Sequence, residues 1–324
     1  MKIGFSFNQS KGGPANFMNN LRDSWERQGL VKTSLYFNPF NDCNIFANLA
    51  KLVKLKKFFF RIDGINYDIL ADLATKQHSN YEILRGAKLS RGVIFQSHFS
   101  KQLFETILGY VPPVQTIIHN GTNLDIFKRG DGSEIRRSLN ISDDAFVFIT
   151  SAKWRVHKRL KSIIASFVQF RERHPNLQTY LLVIGETDVL NVENVFFVQN
   201  IDNKLLPRYY SAANVYLFYS WLDNCPNSVV EAIACGLPTI CTNQGGTHEL
   251  IDLSQGGIVV DADEEFPFEE IALYNPPMPD MLKIAYAIDD MYENYPYYAN
   301  RIIRDVFDIN IVAKKYYDFI KSNL

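Results

Sequence analysis

Between Val215 and Ile251 the sequence spells strand, helix and strand in close succession, and that order permits few folds. Val215-Tyr216-Leu217-Phe218-Tyr219 is an apolar run of strand length. After the polar turn that holds Asp223 and Asn224, the small-residue run Ala232-Ile233-Ala234-Cys235-Gly236 reads as a helix closing on a glycine cap. The strand Pro238-Thr239-Ile240-Cys241 follows at once, so the segment is a βαβ unit. Seven residues separate Asp223 from Glu231, which puts Glu231 on the buried, cleft-facing part of the unit. A carboxylate there can accept both hydroxyls of a ribose. Free N–H groups around Asn227 and Ser228 can meet phosphate oxygens.

The rest of the chain repeats the alternation. Lys2-Ile3-Gly4-Phe5-Ser6-Phe7 reads as a strand, and the turn Lys11-Gly12-Gly13-Pro14 leads into an amphipathic helix. Apolar runs follow at 31–37, 58–62, 93–96 and 114–118, with helical segments near 67–89 and 99–108. A second series starts at Ala145-Phe146-Val147-Phe148-Ile149-Thr150 and runs through a helix at 160–173, strands at 180–184 and 195–198, and a helix at 205–213. Such alternation implies parallel sheets with helices on their faces. With 324 residues, 47% of them hydrophobic, the chain is long enough for two full cores. The expected class is α/β, two tandem Rossmann-like domains facing a cleft. The expected divisions are 1–128, 129–308 and a terminal helix over 309–324, with the join near Asn120-Gly121 to Gly132. Asn120-Gly121 is expected to supply positive φ for a sharp reversal, and the acidic, Pro-rich stretch from Asp261 to Pro279 reads as a surface excursion.

A net charge of −1 conceals an asymmetry: residues 1–130 carry 17 Lys and Arg against 9 Asp and Glu, a net +8, and the remainder carries 17 against 26, a net −9. A basic first half is drawn to anionic partners such as a membrane surface or a lipid diphosphate, with Lys51, Lys54, Lys56 and Lys57 as one contact and a plain solvated face as the alternative. Nothing in the sequence suggests a nucleic-acid partner. Cys43, Cys225, Cys235 and Cys241 lack metal-ligand spacing, no run approaches the roughly 18 apolar residues of a membrane span, and no secretory leader is visible. The expected location is the cytoplasm, peripheral to the inner face of a membrane if the basic half docks there.

The pair Asp223 and Glu231 resembles the acid-x7-acid signature of retaining GT-B glycosyltransferases of the family 4, or glycosyl transferases group 1, type, with Asp in place of the usual first Glu. Further segments are similar in order and spacing. Gly12-Gly13 matches the family's N-terminal Gly-rich loop, and Ile117 to Phe127 its linker. Lys153 and Lys158 keep the spacing of its Arg and Lys, with Arg155 or Arg159 available to compensate for the Lys at 153. Gln199-Asn200-Ile201 matches the nucleobase segment, and Gly245-Gly246-Thr247 with Glu249 the pocket floor, Thr247 reading equally well as a plain helix cap. Arg61 and Asp63, in Arg61-Ile62-Asp63-Gly64, fall on the acceptor side. His98 reads as a surface residue of a helix first turn, with Ser97 its N-cap.

The resemblance implies transfer of a sugar from a nucleotide-diphosphate sugar to a hydroxyl of a glycan or lipid-linked acceptor, with retention, without a metal and without a cofactor beyond the donor. Lys153 and Lys158 would neutralise the leaving diphosphate, Asp223 would meet the sugar, and Glu231 the ribose. Two rival readings are a nucleotide-sugar epimerase of the same architecture and an inactive binding protein of a glycan-assembly complex.

Overall fold

The computed structural model describes residues 1–7, 13–34, 42–47, 58–199 and 201–324. Gly12, Asn200 and the lysines at 51, 54, 56 and 57 lie outside the described residues.

The first sheet holds β1 (Lys2–Phe7), β2 (Lys32–Ser34), β3 (Cys43–Ala47), β4 (Phe58–Ile62), β5 (Gly92–Phe95) and β6 (Gln115–Ile117). Their order is β2-β1-β3-β4-β5-β6, every neighbouring pair parallel. Helices α1 (Gly13–Arg27), α2 (Leu73–Leu89) and α3 (His98–Leu108) connect them. A short α4 (Ser133–Ser138) precedes the second sheet, built from β7 (Phe146–Ser151), β8 (Thr179–Ile184), β9 (Val195–Val198), β10 (Val215–Phe218), β11 (Thr239–Thr242) and β12 (Gly257–Val260). These run β12-β11-β10-β7-β8-β9, again all parallel. That is the doubly wound order in which the chain reverses direction between β7 and β10, and ligands of such sheets bind beyond the strand C-termini at that reversal. Its helices are α5 (Leu160–Arg173), α6 (Leu206–Ala212), α7 (Asn227–Ala234), α8 (Thr247–Ser254), α9 (Met281–Glu293), α10 (Tyr295–Arg301) and α11 (Ile309–Ser322).

The expected tandem α/β architecture is present, with strands the sequence reading did not separate. β3, a short run between polar residues, sits at the centre of the first sheet. Gly236 adopts φ +76° just past α7, the left-handed position a glycine cap requires. The expectation of positive φ at Asn120-Gly121 is overturned, because neither residue adopts it. Glycine is needed at 121 for space: a Cβ there would sit 2.8 Å from Val312 Cγ2 and 2.9 Å from the Phe307 carbonyl oxygen.

Helix α11 crosses back to the first lobe. Ile309, Val312, Ala313, Tyr316 and Ile320 form its apolar stripe and pack with Phe17, Leu21 and Trp25 of α1. The Trp25 indole N–H donates to the Ala313 carbonyl at 2.7 Å, and Thr122 bridges Asp308 beside the linker. The segment from Asp261 to Pro279 lies largely at the surface, as expected, and also acts as a strap between lobes. Ile69 N–H donates to the Ile271 carbonyl at 2.9 Å, Ile271 N–H to the Tyr67 carbonyl at 3.0 Å, and Lys76 pairs with Glu270 at 2.7 Å. Phe266 of the strap is buried in an aromatic cluster with Tyr67, Phe99 and Trp221, so both lobes share that core.

A polar knot joins the lobes beside the cleft. Arg61 at the end of β4 is fully buried, paired with Asp63, and donates to Asn120 Oδ1 at 2.9 Å and to the Tyr316 hydroxyl at 3.1 Å, with Phe17 under the guanidinium at 4.4 Å. Removing one member of a buried ion pair costs about 3–5 kcal/mol, whereas losing one neutral hydrogen bond costs about 1 kcal/mol. Arg61→Met is therefore expected to lower the urea midpoint strongly and Tyr316→Phe only slightly; equal small shifts in equilibrium unfolding would show that the knot does not hold the fold together.

Candidate functional site

The loops after β7 and β10 meet at the reversal point of the second sheet, and the first lobe covers them. They enclose a cleft of about 420 Å³ lined by Lys153, Arg155, His157, Lys158, Asp223 and the first residues of α7, with Gly13, Arg61, Asp63 and Gln96 opposite. Lys153 is exposed on the wall and has no ion-pair partner among the described residues. Lys158 sits in a one-turn 3-10 segment, pairs with Asp223 and lies 5.2 Å above the Phe218 ring. Burial, with the neighbouring Lys158 charge, pushes the His157 imidazole down to about 4, so that ring is neutral at pH 7.

Asp223 is held by backbone geometry. Leu222 before it adopts φ +55°, a costly conformation for a bulky side chain. The Gly245-Gly246 turn presses against this loop: Gly246 N–H donates to the Asp223 carbonyl at 2.6 Å, and a Cβ at 246 would lie 2.0 Å from the Asn224 carbonyl oxygen. The two glycines are thus required by close approach beneath the carboxylate loop.

Helix α7 starts with no side-chain cap, and Asn227 and Ser228 at its start line the cleft. Asn227 also joins the lobes, donating to the Gly13 carbonyl at 2.9 Å and accepting from Asn120 Nδ2 at 2.8 Å. One turn on, Glu231 is half-buried beside the hydroxyl network of Ser151, Tyr210 and Tyr216, in which Ser151 Oγ meets the Tyr210 hydroxyl at 2.7 Å. Burial pushes the Glu231 carboxyl from an ordinary 4.5 up to about 8.

Lys153, Lys158, Asp223, Arg61, Asp63, Gly13, Asn227 and Ser228 come together on this cleft, as the sequence suggested. Glu231, Gln199, Ile201, Gly246 and Thr247 are not among its lining residues. Gln199 is exposed and donates to the Thr187 carbonyl at 2.7 Å, while Ile201 packs on the core of the second lobe. Gly246, not Thr247, occupies the N-cap position of α8, and the Thr247 hydroxyl is buried without a partner. Arg159 cannot compensate for Lys153: it is buried, with one nitrogen on both Asp263 oxygens at 2.7 and 3.0 Å. Glu249 serves the lobe interface instead of the pocket floor. Its carboxylate accepts the His98 and Phe99 N–H groups at 2.8 and 2.9 Å and meets His119 at 2.7 Å, capping α3 beside the Ser97 capping box. Burial alone would raise this carboxyl, but those three hydrogen bonds hold it below its usual value. His98 is exposed, and Ser97 is the N-cap, as expected. The sequence reading gave no role to His157, Gln96 and Asn224, which are placed by contacts distant in sequence, such as the Asn224 amide donating to the Asp63 carbonyl across the lobes at 3.1 Å.

Two parallel α/β lobes facing such a cleft constitute the GT-B fold of glycosyltransferases. Residues 131–268 match the family model of glycosyl transferases group 1. A D-inositol 3-phosphate glycosyltransferase of Kribbella flavida is 25% identical over 173 residues, covering 48% of this chain and 41% of that protein. The match thus spans about two fifths of the length of such relatives. In fold, sucrose-phosphate synthase of Thermosynechococcus elongatus is similar with TM-score 0.74 at 16% identity, over 99% of this chain and 98% of that one. Anabaena HepE in complex with UDP is similar with TM-score 0.71 at 17% identity, over 99% and 100%. Among the described residues no helix is long and apolar enough to cross a membrane.

Between about pH 4.5 and 8 the folded chain keeps a proton on Glu231 that the unfolded chain has lost, so this residue makes stability fall as pH rises through that window. Replacement by Gln removes the term. The melting temperature of Glu231→Gln relative to wild type is expected to climb from pH 5 to pH 8, as read by scanning calorimetry; a flat difference would refute the elevated carboxyl.

Proposed function

We propose that this chain transfers a sugar, with retention, from a nucleotide-diphosphate sugar to a hydroxyl of a glycan or lipid-linked acceptor. The observation that carries the reading is the convergence of Lys153, Arg155 and Lys158 with the uncapped start of α7 on one cleft at the reversal point of the second sheet. Backbone N–H groups at a helix start and two or three cations suit the two phosphates of the donor, whose charge grows as the sugar leaves. Lys158 is held on Asp223 and is released to the diphosphate when the donor arrives, which leaves Asp223 beside the sugar. Glu231 has no protein hydrogen-bond partner among the described residues and takes the ribose hydroxyls. Gly13 and Asn227 narrow the cleft from opposite lobes. No metal is assigned, because lysine charge and the helix start stabilise the departing diphosphate. The net +8 of residues 1–130 supports a site of work near an anionic surface.

Removing one preorganised stabiliser of developing charge costs about 10²–10³ in turnover. Lys158→Ala is expected to lose that much, and Lys153→Ala to weaken UDP, GDP or ADP binding in calorimetry by about tenfold, the scale of one charge-assisted hydrogen bond. Radiolabelled nucleotide sugars offered with lipid extract separate the rivals: acceptor-dependent diphosphate release supports transfer, isomerisation without acceptor supports an epimerase, and binding without turnover supports a scaffold. Near wild-type turnover in Lys158→Ala would overturn the donor-site assignment.

A further inference from the structure

A second cavity, of about 1040 Å³, opens on the first-lobe side of the cleft and shares Pro14 and Asp63 with it. That volume stands at the top of the roughly 300–1,000 Å³ range of small-molecule sites, with room for more than one sugar ring. Its polar walls come from Asp63, Asn66, Asp68, Ser79 and Glu82, and no lysine lines it. Its one arginine, Arg85, stands 3.6 Å from Glu82. The cations of the donor cleft are on the other side of Asp63.

At the boundary stands Tyr274, carried there by the strap. The residue is 41% exposed and lines the larger cavity, yet its ring meets His157 edge to face at 5.2 Å and its hydroxyl accepts from Arg155 at 3.5 Å. The strap is fixed to the first lobe three residues earlier, through the Ile271 hydrogen bonds to residues 67 and 69. The ring is thereby set in place without being buried.

We propose that this cavity binds the acceptor as an uncharged saccharide whose ring lies against Tyr274. The proposal rests on the transferase reading for the word acceptor and on the cavity itself for the chemistry. An exposed aromatic face attracts the polarised C–H groups of a sugar ring, and carboxylates and amides accept and donate to its hydroxyls. The cations near this lining are already engaged, Arg61 with Asp63 and Arg85 with Glu82, so apart from His78 it offers a phosphate or uronate group no spare positive charge, while Asp68 opposes one. Tyr274 is then a specificity-determining residue that the strap supplies, next to Leu273, to a site whose other walls come from the first lobe.

Saturation-transfer NMR on the full chain, using methyl glycosides of glucose, galactose, mannose and N-acetylglucosamine and the matching sugar 1-phosphates, tests this directly. At least one methyl glycoside is expected to bind better than its 1-phosphate, to bind at least tenfold more weakly to Tyr274→Ala, and to keep within about threefold in Tyr274→Phe. Absence of any glycoside binding, preference for the 1-phosphate, or equal binding by Tyr274→Ala would overturn the proposal. UDP, GDP and ADP titrated into the same wild-type sample report on the donor cleft separately. Nucleotide binding without saccharide binding sinks this inference alone, and saccharide binding without nucleotide binding sinks the transferase reading alone.

Discussion

The buried amide of Asn120 is the interaction on which the cleft depends. It lies in the linker between lobes, accepts from Arg61, and donates to Gln96 Oε1 at 3.2 Å, the Cys225 carbonyl at 3.1 Å and Asn227 Oδ1 at 2.8 Å. An amide offers two donor hydrogens, so the three acceptors around Nδ2 share them, and one side chain couples β4 and the start of α3 to the loop that carries Asp223. Because the group is buried, each partner lost would leave a polar atom without water to replace it. The relative position of the lobes is therefore encoded in polar contacts whose geometry is directional, more than in apolar surface that could slide.

Around that fixed seam the charges divide. Lys153, Arg155 and Lys158 stand on the second-lobe wall, and the first-lobe wall presents Asp63 already engaged with Arg61. The basic excess of the first half gives the cleft only Arg61, already paired with Asp63, while Lys153, Arg155 and Lys158 come from the acidic second half of the chain. Bulk charge and local charge thus point in opposite directions, and only the loop after β7 explains the cleft.

The alternation of strands and helices was legible because a parallel sheet covered on both faces demands apolar runs of fixed length, and Gly236 was legible because a helix end needs left-handed backbone. Asp223 was legible through its spacing from Glu231 along one βαβ unit, and Lys158 through its five-residue spacing from Lys153, which resembles the family's Arg and Lys. Glu249 was not, since its role is to cap a helix 150 residues away. Arg61 was placed on the correct edge, where it lines the cleft, but its ties to Asp63, Asn120 and Tyr316 were not legible because they join distant parts of the chain. The stretch 261–279 was rightly read as surface, but its tie to the first lobe was not legible, because it is made by the backbone of Ile271 and not by a side-chain pattern.

The capping of α3 by Glu249 and the packing of α11 on α1 give the chain a particular order of completion. During synthesis the earlier segments emerge first. The start of α3 then waits for a carboxylate that is made 150 residues later, and the apolar face of α1 stays wet until residues 309–322 have left the ribosome. The first lobe is thus completed only after the second has been made, and the start of α3 and the apolar face of α1 wait uncovered while the intervening chain is synthesised.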